Sequence, residues 1–518
     1  MIHLEGNLMG PLCKAASALA LASALGLAGC GGGASSASSP SIMLLAANDG
    51  GGGIELWKTD GTANGTSLVK DINLGAGNSF PGAGGTTFPS EFVFFNGAWF
   101  FSADDGTGPK LWKSDGTPGG TVRVTAAVSS PRELTVLGNA LYFSADDVSG
   151  RELWKTDVNG STVQVKDIAP GTCSIGGIQV PCSSPTGLTV FNNTLYFSAN
   201  DGTSGFELWK SDGTALGTVQ VKDINLSGDS SPSGFTVFNN ELYFSADDGT
   251  GFELWKTNGT PGNAVLVTNI NPTGDSSPSG FTVFNNELYF SADGGTGVEL
   301  WKTNGTPGGT VLVKDINPFG DSSPSGFTVF NNELYFSADD GTGFELWKTN
   351  GTPNGTVLVK DINLTGDSSP SGLTVFNNAL YFSADDGTGV ELWKTDVTGS
   401  TVRVKDINPT SGAGSLVSGL TVFNNALYFS ADDGATGLEL WKSDGTDSGT
   451  VQVKDINTAQ GVGSSPNAFT VLNNALLFSA DDGVTGRELW RTDGTGTMRV
   501  KDICPGSCDG LPVLVIIP

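Results

Sequence analysis

The dipeptide Leu-Trp recurs ten times along this chain of 518 residues, and this repetition restricts the fold more than any other feature. The ten tryptophans stand at positions 57, 112, 154, 209, 255, 301, 347, 393, 441 and 490. Self-similarity with a period of roughly 20–50 residues is typical of solenoids, propellers and repeat arrays. The chain is therefore expected to be a stack of ten similar units.

One unit can be followed from Leu373 to Ile407. Two β-prone runs flank Asn377-Asn378, which predicts a hairpin with a type I′ turn because Asn tolerates positive φ. A second turn, Asp385 to Gly389, leads to a third run around Trp393, and a fourth run ends at Ile407. Four strands in a unit of this length are typical of a propeller blade. The sequence predicts an all-β fold, with no useful stretch of helical periodicity.

The strands carry apolar residues on both faces. Leu380 and Phe382 are expected to point one way and Tyr381 the other. A blade needs this pattern because each sheet lies between two neighbouring sheets. Trp393 and its equivalents are expected to fill the space between blades.

The two ends of the repeat region complement each other. The first copy opens at Ile42 and lacks its first strand, while the chain ends in an apolar run from Leu511 to Ile517. We therefore predict one ten-bladed ring, closed by the C-terminal strand pairing with the N-terminal blade. Two five-bladed rings are the alternative, and they would need two closures.

The first forty residues have the features of an export signal. Residues 15–29 are uncharged and small or apolar, and they end in Leu27-Ala28-Gly29-Cys30, which resembles the bacterial lipobox. We predict a lipoprotein signal peptide at 1–29 with lipidation of Cys30, a Gly/Ser-rich tether at 30–41 and the propeller at 42–518. Ordinary secretion with an incidental cysteine is the alternative.

Four further cysteines form two close pairs, in keeping with an oxidising compartment. We predict the disulfides Cys173–Cys182 and Cys504–Cys508. Metal binding is the alternative, but two cysteines without histidine make a poor zinc site.

Pairs of aspartates recur at the second turn of the unit. Adjacent carboxylates and turn carbonyls are the oxygen ligands that calcium prefers, although the spacing is not that of an EF-hand. The alternative is a turn in which Asp side chains accept backbone N–H groups. Calcium is predicted here as a stabiliser and no cofactor is predicted to be required; the sites would be Asp146, Asp147, Asp247, Asp248, Asp339, Asp340, Asp385, Asp386, Asp432, Asp433, Asp481 and Asp482.

Composition excludes several classes of function. The chain has one histidine, His3, within the predicted leader, so the mature protein would have no Ser-His-Asp triad and no His-ligated zinc. The formal net charge of −27 opposes binding to nucleic acid. Glu precedes Leu-Trp in nine copies, and a residue repeated so often is expected to be structural, since an enzyme usually needs one unique constellation.

The recurring motif can be compared with known repeats. Glu207 to Thr214 reads Glu-Leu-Trp-Lys-Ser-Asp-Gly-Thr, which resembles the bacterial ELWxxDGT repeat of secreted and surface proteins. The unit is also similar to kelch repeats in strand layout, and its second turn is similar to the Asp-box of sialidases and of sortilin, whose ring has ten blades. These resemblances imply a propeller and carry over no catalytic residue.

Together these features predict a non-enzymatic binding, adhesion or structural module, lipid-anchored at the cell surface or in the periplasm and exported to the bacterial outer membrane. The expected partners are the membrane, through the anchor, and a protein or glycan on the loop faces; the chain is expected to be a monomer. The alternative is a secreted hydrolase of the glycosidase type that uses acidic residues.

Overall fold

The structure is a computed structural model, and it describes residues 42–80, 92–148, 150–170, 173–175, 178–180, 183–410 and 412–511. Within these residues the chain forms ten antiparallel blades that follow one another along the sequence, together with one separate two-stranded hairpin. Nine of them have four strands, and the first has three. The prediction of an all-β protein built from ten blades is confirmed.

Each blade adds its strands in sequence order, from the first strand to the fourth. The first strands, in blades 2 to 10, are Val93–Phe95, Ser129–Leu137, Thr186–Phe191, Ser233–Phe238, Ser279–Phe284, Ser325–Phe330, Ser371–Phe376, Ser418–Phe423 and Asn467–Leu472. The second strands, in blades 1 to 10, are Met43–Asn48, Ala98–Asp104, Ala140–Asp147, Thr194–Asn200, Glu241–Asp247, Glu287–Asp293, Glu333–Asp339, Ala379–Asp385, Ala426–Asp432 and Ala475–Asp481.

The third strands carry the Leu-Trp motif: Ile54–Thr59, Pro109–Ser114, Gly150–Asp157, Phe206–Ser211, Phe252–Thr257, Val298–Thr303, Phe344–Thr349, Val390–Asp396, Leu438–Ser443 and Arg487–Thr492. The fourth strands are Ser67–Lys70, Val122–Arg123, Thr162–Lys166, Val219–Lys222, Ala264–Thr268, Val311–Lys314, Val357–Lys360, Thr401–Lys405, Val451–Lys454 and Thr497–Lys501. A small hairpin, Cys173–Ile175 with Ile178–Val180, and a single turn of 3-10 helix, Pro307–Gly309, complete the elements.

The hairpin between the first and second strands has the predicted turn. In blade 5, Asn239 and Asn240 have φ of 47° and 58°, and the flanking residues Phe238 and Glu241 are directly paired. A type I′ turn needs positive φ at both central residues, and its twist matches that of the strands it joins. Asparagine side chains tolerate this conformation better than most, which explains the repeated Asn-Asn.

Both faces of each blade are buried against neighbours, as the pattern predicted. Leu380 and Phe382 pack with Tyr335 of the preceding blade, whereas Tyr381 packs with Phe429 of the following one. Trp393 lies in the same cluster as Tyr335 and therefore fills the interface between blades 7 and 8. Burial of these large side chains supplies most of the attraction between blades.

The blades form one ring rather than two. Phe238 and Tyr243 of blade 5 share a cluster with Leu288 and Phe290 of blade 6, which is the contact that two five-bladed rings would lack. At the other side, Met43, Leu45 and Trp57 of blade 1 pack with Leu477 and Leu489 of blade 10. Blades 1 and 10 are thus joined by the same kind of interface as the other blades.

The seam between the first and last blades also has its own hydrogen bonds. The backbone N–H of Asn48 donates to the Gly510 carbonyl at 2.8 Å, and Leu511 is fully buried beside blade 1. Lys501 donates to the Thr66 carbonyl at 2.7 Å, and Arg491 donates to the Gly61 carbonyl at 3.0 Å. Residues 512–518, which would complete the predicted closing strand, lie outside the described residues.

Other sequence predictions meet the structure only in part. The disulfide Cys504–Cys508 is present, with Cα atoms 5.7 Å apart. The proposed pairing of Cys173 with Cys182 lies outside the described side chains, and so do the leader and Cys30. In the part of the chain that the structure describes, no helix is long and apolar enough to cross a membrane.

Candidate functional site

The paired aspartates close their own turns. In blade 5, Oδ1 of Asp247 accepts the N–H groups of Gly249 at 2.6 Å and Gly251 at 3.1 Å, and Oδ1 of Asp248 accepts N–H and Oγ1–H of Thr250. The same bonds recur in blades 7 to 10 with small changes, at Asp339, Asp340, Asp385, Asp386, Asp432, Asp433, Asp481 and Asp482. In each of these turns an aspartate oxygen accepts backbone N–H groups of the turn, in the place of a backbone carbonyl.

Blade 3 uses its aspartate differently, because Oδ2 of Asp146 forms an ion pair with Arg151 at 2.7 Å. Asp147 follows at the end of the same strand. Over the described residues, no group of three or more His, Cys, Asp and Glu side chains is arranged to hold a metal ion. Calcium binding at the twelve aspartates stays a prediction.

The repeated glutamate before Leu-Trp is buried in nine blades. Glu207 accepts hydrogen bonds from the Ile224 N–H at 2.7 Å, the Ser230 hydroxyl at 2.7 Å and the Ser230 N–H at 3.1 Å. Ile224 and Ser230 belong to the loop that leads to the next blade, so the carboxyl group fixes that loop to the third strand. We call this arrangement the glutamate clasp; its members are Glu55, Glu152, Glu207, Glu253, Glu299, Glu345, Glu391, Glu439 and Glu488, none more than 3% exposed.

Burial changes the acidity of these carboxyl groups. Desolvation raises the pKa of Glu55, Glu152, Glu207 and Glu488 from 4.5 to about 7, although the hydrogen bonds to each group oppose this. The pKa values of the other five are raised for the same reason. A strongly perturbed carboxyl group often marks an active site, but nine copies with local partners indicate a structural role here.

Blade 2 shows what happens without the clasp. It has Lys110 where the other blades have glutamate, and the step from Trp112 to Trp154 is the shortest in the chain. The linking loop that would supply the isoleucine N–H and serine hydroxyl is correspondingly shortened. Loss of the acceptor thus coincides with loss of its donors. The repeated serine of the linking loops was the sequence signal that could have revealed the clasp.

Lysines of the fourth strands join eight of the ten blades to the next. Lys222 donates to the Ala264 carbonyl at 2.9 Å and lies 4.9 Å from the centre of the Trp255 ring. Lys501 repeats the arrangement at the seam, 5.8 Å from the Trp57 ring. A cation over an indole face is attracted by the ring quadrupole, so the Leu-Trp motif contributes to cohesion through both burial and charge.

The first strands form the inner wall of the ring. First strands of successive blades contact one another from blade 2 to blade 10. Within the described sheets each first strand pairs only with its second strand, so its other edge faces the ring axis. In blade 4 part of the first strand is already engaged, because Glu133 of blade 3 accepts the N–H groups of Gly187 and Leu188. The strands approach closely at their glycines: a Cβ placed on Gly234 would lie 3.0 Å from the Phe281 ring of the next blade.

A circular row of apolar side chains lies on these first strands. The residue two before the Asn-Asn turn is valine in most blades and is about half-exposed; Val237 has 47% of its surface accessible and Val283 has 46%. The equivalent side chains are Phe94, Val136, Val190, Val237, Val283, Val329, Val375, Val422 and Val471. The valine pattern alone does not predict this feature, since alternation within one short strand does not show which edge lines a channel.

Comparison with known proteins concerns the fold alone. No protein-family model matches the chain, and no curated protein matches it. Among solved structures, a prolyl endopeptidase is similar, with 12% sequence identity and a TM-score of 0.35, over 66% of this chain and 54% of that one. A puromycin hydrolase is similar with 11% identity and a TM-score of 0.30, over 69% of this chain and 59% of that one.

These solved structures correct the functional prediction. The chain spans little more than half the length of the solved proteins it matches, and those proteins are named as enzymes. The prediction of a non-enzymatic binding, adhesion or structural module, with a glycosidase-like hydrolase as the alternative, is contradicted by them and is withdrawn. That prediction depended on the lack of histidine. A propeller without histidine can still be part of an enzyme, so the lack of histidine does not decide the question.

Proposed function

We propose that this propeller admits extended peptide segments into its axial channel and serves as the substrate-binding part of a peptide-processing enzyme. The observation that carries the proposal is the inner wall: open strand edges together with a ring of half-exposed valines. An open edge offers backbone N–H and C=O groups to an extended peptide, and apolar side chains beside it hold alternate peptide side chains. The distant likeness to peptidases does not carry it.

The charge of the chain favours a particular kind of peptide. With a net charge of −27, the ring attracts basic segments over long range, especially at low ionic strength. Apolar peptides with a few lysines or arginines therefore fit both the valine ring and the surrounding field. We expect acidic peptides of the same length to bind more weakly.

A pair of matched variants tests the channel. Val237, Val283 and Val375 are half-exposed on first strands, whereas Val265, Val311 and Val451 are similarly exposed on outer fourth strands. Changing the three inner valines together to serine should weaken binding of labelled extended peptides by about tenfold or more, and the outer triple variant should bind like the unmodified protein. Mass spectrometry of the same peptide–protein mixtures detects any cleavage of the peptides. Equal effects of the two variants, or no binding of any peptide, would overturn the proposal.

We also propose, from the sequence, that the chain is an ELWxxDGT-type repeat protein exported as a lipoprotein and anchored through Cys30. The support is the uncharged stretch from Ala15 to Gly29 followed directly by that cysteine. Labelling with a radioactive fatty acid should mark the protein and should be lost in Cys30→Ala. An unlabelled wild type would refute the anchor without touching the peptide proposal.

A further inference from the structure

Glu133 supplies a carboxylate to the inner wall of the ring. It lies in blade 3 and is the only acidic residue on the first strands that the structure describes. Its Oε2 accepts the N–H groups of Gly187 at 3.0 Å and Leu188 at 3.3 Å, both on the first strand of blade 4. Two successive N–H groups that converge on one anion form a concavity known as a nest. We call this pair of N–H groups the wall nest of a blade, and in blade 4 it is already filled.

Blades 8 and 9 have the same backbone form at this point. Gly187, Gly372 and Gly419 have φ of 69°, 66° and 70°. In all three blades this glycine and the leucine after it fall within a shift of register, and neither has a Cα partner on the second strand. The N–H groups of Gly372 and Leu373 therefore form a wall nest in blade 8. Those of Gly419 and Leu420 form one in blade 9.

The carboxylate that fills the nest of blade 4 has no counterpart before these two nests. The position of Glu133 is taken by Gly326 in blade 7 and by Gly372 in blade 8. A Cβ on Gly326 would meet no atom within 4 Å, and one on Gly372 would lie 3.8 Å from the Leu420 side chain. The space that the Glu133 side chain enters beside blade 4 is thus open beside blades 8 and 9.

Phenylalanine rings restrict the same space beside other blades. In blades 5, 6, 7 and 10 phenylalanine replaces the leucine, and a Cβ on the glycine of the preceding blade would lie 2.8–3.2 Å from its ring. The four pairs are Gly187 with Phe235, Gly234 with Phe281, Gly280 with Phe327 and Gly419 with Phe469. Of the described first strands that carry this glycine, those of blades 8 and 9 therefore have a nest that is both unfilled and uncovered.

Blade 4 shows which chemical group the nest accepts. A carboxylate oxygen takes both N–H groups there, and hydrogen bonds to an ionised acceptor are stronger than those between neutral groups. We propose that the wall nests of blades 8 and 9 bind a carboxylate group of the peptide in the channel. This inference rests on the proposed function, because that function places a peptide beside the first strands.

The charge of the chain favours one source of this carboxylate. A net charge of −27 opposes peptides with many acidic side chains, whereas every unblocked peptide carries one carboxylate at its C terminus. Backbone nests are known to capture C-terminal carboxylates in peptide recognition. The expected ligand is therefore the free C-terminal end of an apolar or basic peptide.

Blades 3 and 10 provide the design of the test variants. The double variant Gly326→Glu/Gly372→Glu copies Glu133, which has a φ of 60° at the same position, and should fill both nests from within the protein. Gly326→Ala/Gly372→Ala is the matched control, because it copies Ala468, which has a φ of 53° there, and leaves the nests empty. Gly326→Gln/Gly372→Gln presents an oxygen to each nest without adding charge. Thermal melting verifies that each variant folds.

Calorimetry compares two apolar peptides with one lysine that differ only at the C terminus, one a free acid and one an amide. We expect wild type to bind the acid about tenfold more tightly than the amide. The glutamate and glutamine variants should lose most of this preference, and the alanine control should keep it. Glu133→Ala should add a third site for the acid by emptying the nest of blade 4. A third peptide, an amide with one internal glutamate, should bind like the plain amide.

The possible failures are distinct. Equal binding of acid and amide by wild type would overturn the inference and leave the peptide channel intact, whereas no binding of either would overturn both. A preference lost in the glutamate variant but kept in the glutamine variant would show repulsion by the added charge and would overturn the nests as binding sites. Binding of the internal-glutamate peptide as tightly as the acid would overturn the choice of the C terminus.

Discussion

Ser230 donates its hydroxyl hydrogen to Oε2 of Glu207 at 2.7 Å, although the two residues stand 23 positions apart in the chain. Glu207 lies in the third strand of blade 4, and Ser230 lies in the loop that leads to blade 5. The same serine–glutamate contact recurs in several other blades, where it fixes the loop that leads to the next blade. It also explains why a carboxyl group is kept in an apolar interface, where burying it without partners would be costly.

Removing one clasp should destabilise the ring. Glu207→Ala removes the acceptor of the Ile224 N–H and one of the two acceptors of the Ser230 N–H and hydroxyl, which also contact the Phe206 carbonyl, and we expect a loss of about 2–3 kcal/mol in the free energy of unfolding. Lys110→Ala in blade 2, where no clasp exists, is the control and should change stability little. Urea denaturation followed by tryptophan fluorescence measures both; equal losses would contradict the role of the clasp.

The clasp also predicts a direction for the pH dependence of stability. The folded-state pKa of Glu207 is raised to about 7, above the ordinary 4.5, so the folded state binds its proton more tightly than the unfolded state. Its contribution is therefore fully present below pH 4.5 and is lost as the pH rises through about 7.

Urea midpoints between about pH 5 and pH 8 should fall with rising pH, and Glu207→Gln should reduce that fall because it removes one titrating group. A midpoint that rises over the same interval, or a variant with an unchanged slope, would show that the buried carboxyl groups do not govern this dependence.

A tryptophan at an interface between blades should contribute more to the free energy of unfolding than an exposed apolar side chain does. Trp393→Ala opens a cavity among Tyr335, Leu346 and Phe382, and we expect a loss of about 3–5 kcal/mol. Leu216 is 94% exposed, and Leu216→Ala should be close to neutral. Thermal melting of both variants checks the difference, and a Trp393→Ala protein that melts like wild type would contradict it.

The Asn-Asn turn makes a backbone prediction. Asn378 has a φ of 56°, so Asn378→Gly should be tolerated and Asn378→Val should cost about 1–2 kcal/mol, because a β-branched residue is strained in this region. Melting temperatures of the two variants provide the measurement. Similar values for glycine and valine would mean that the turn relaxes to another form.

The seam should open before the other interfaces when its lysine is removed. Lys501→Met deletes the hydrogen bond to the Thr66 carbonyl and the contact with Trp57, whereas Lys222→Met deletes the same pair of contacts between blades 4 and 5. Hydrogen exchange should quicken in Met43–Asn48 for the first variant, since blade 1 is joined to blade 10 without a chain connection. Unchanged exchange there would show that the seam is held mainly by apolar burial.

Much of the architecture could be read from local patterns. Ten blades were predicted from the spacing of Leu-Trp, the Asn-Asn turns and the strands that are apolar on both faces. All three are short-range features that neighbouring residues determine. The incomplete first copy predicted a closed ring. The non-enzymatic function assigned from composition was wrong, since the scarcity of histidine in this chain does not show whether its propeller is related to those of enzymes.

Other features needed the assembled ring. The partner of Glu207 comes from a loop 23 residues away, and the open edges of the first strands exist only once the blades are arranged about an axis. Local sequence determined the repeating unit because turns and strands form from short-range preferences. Tertiary packing decided the clasp and the channel wall, because each of them joins residues that are distant in the sequence.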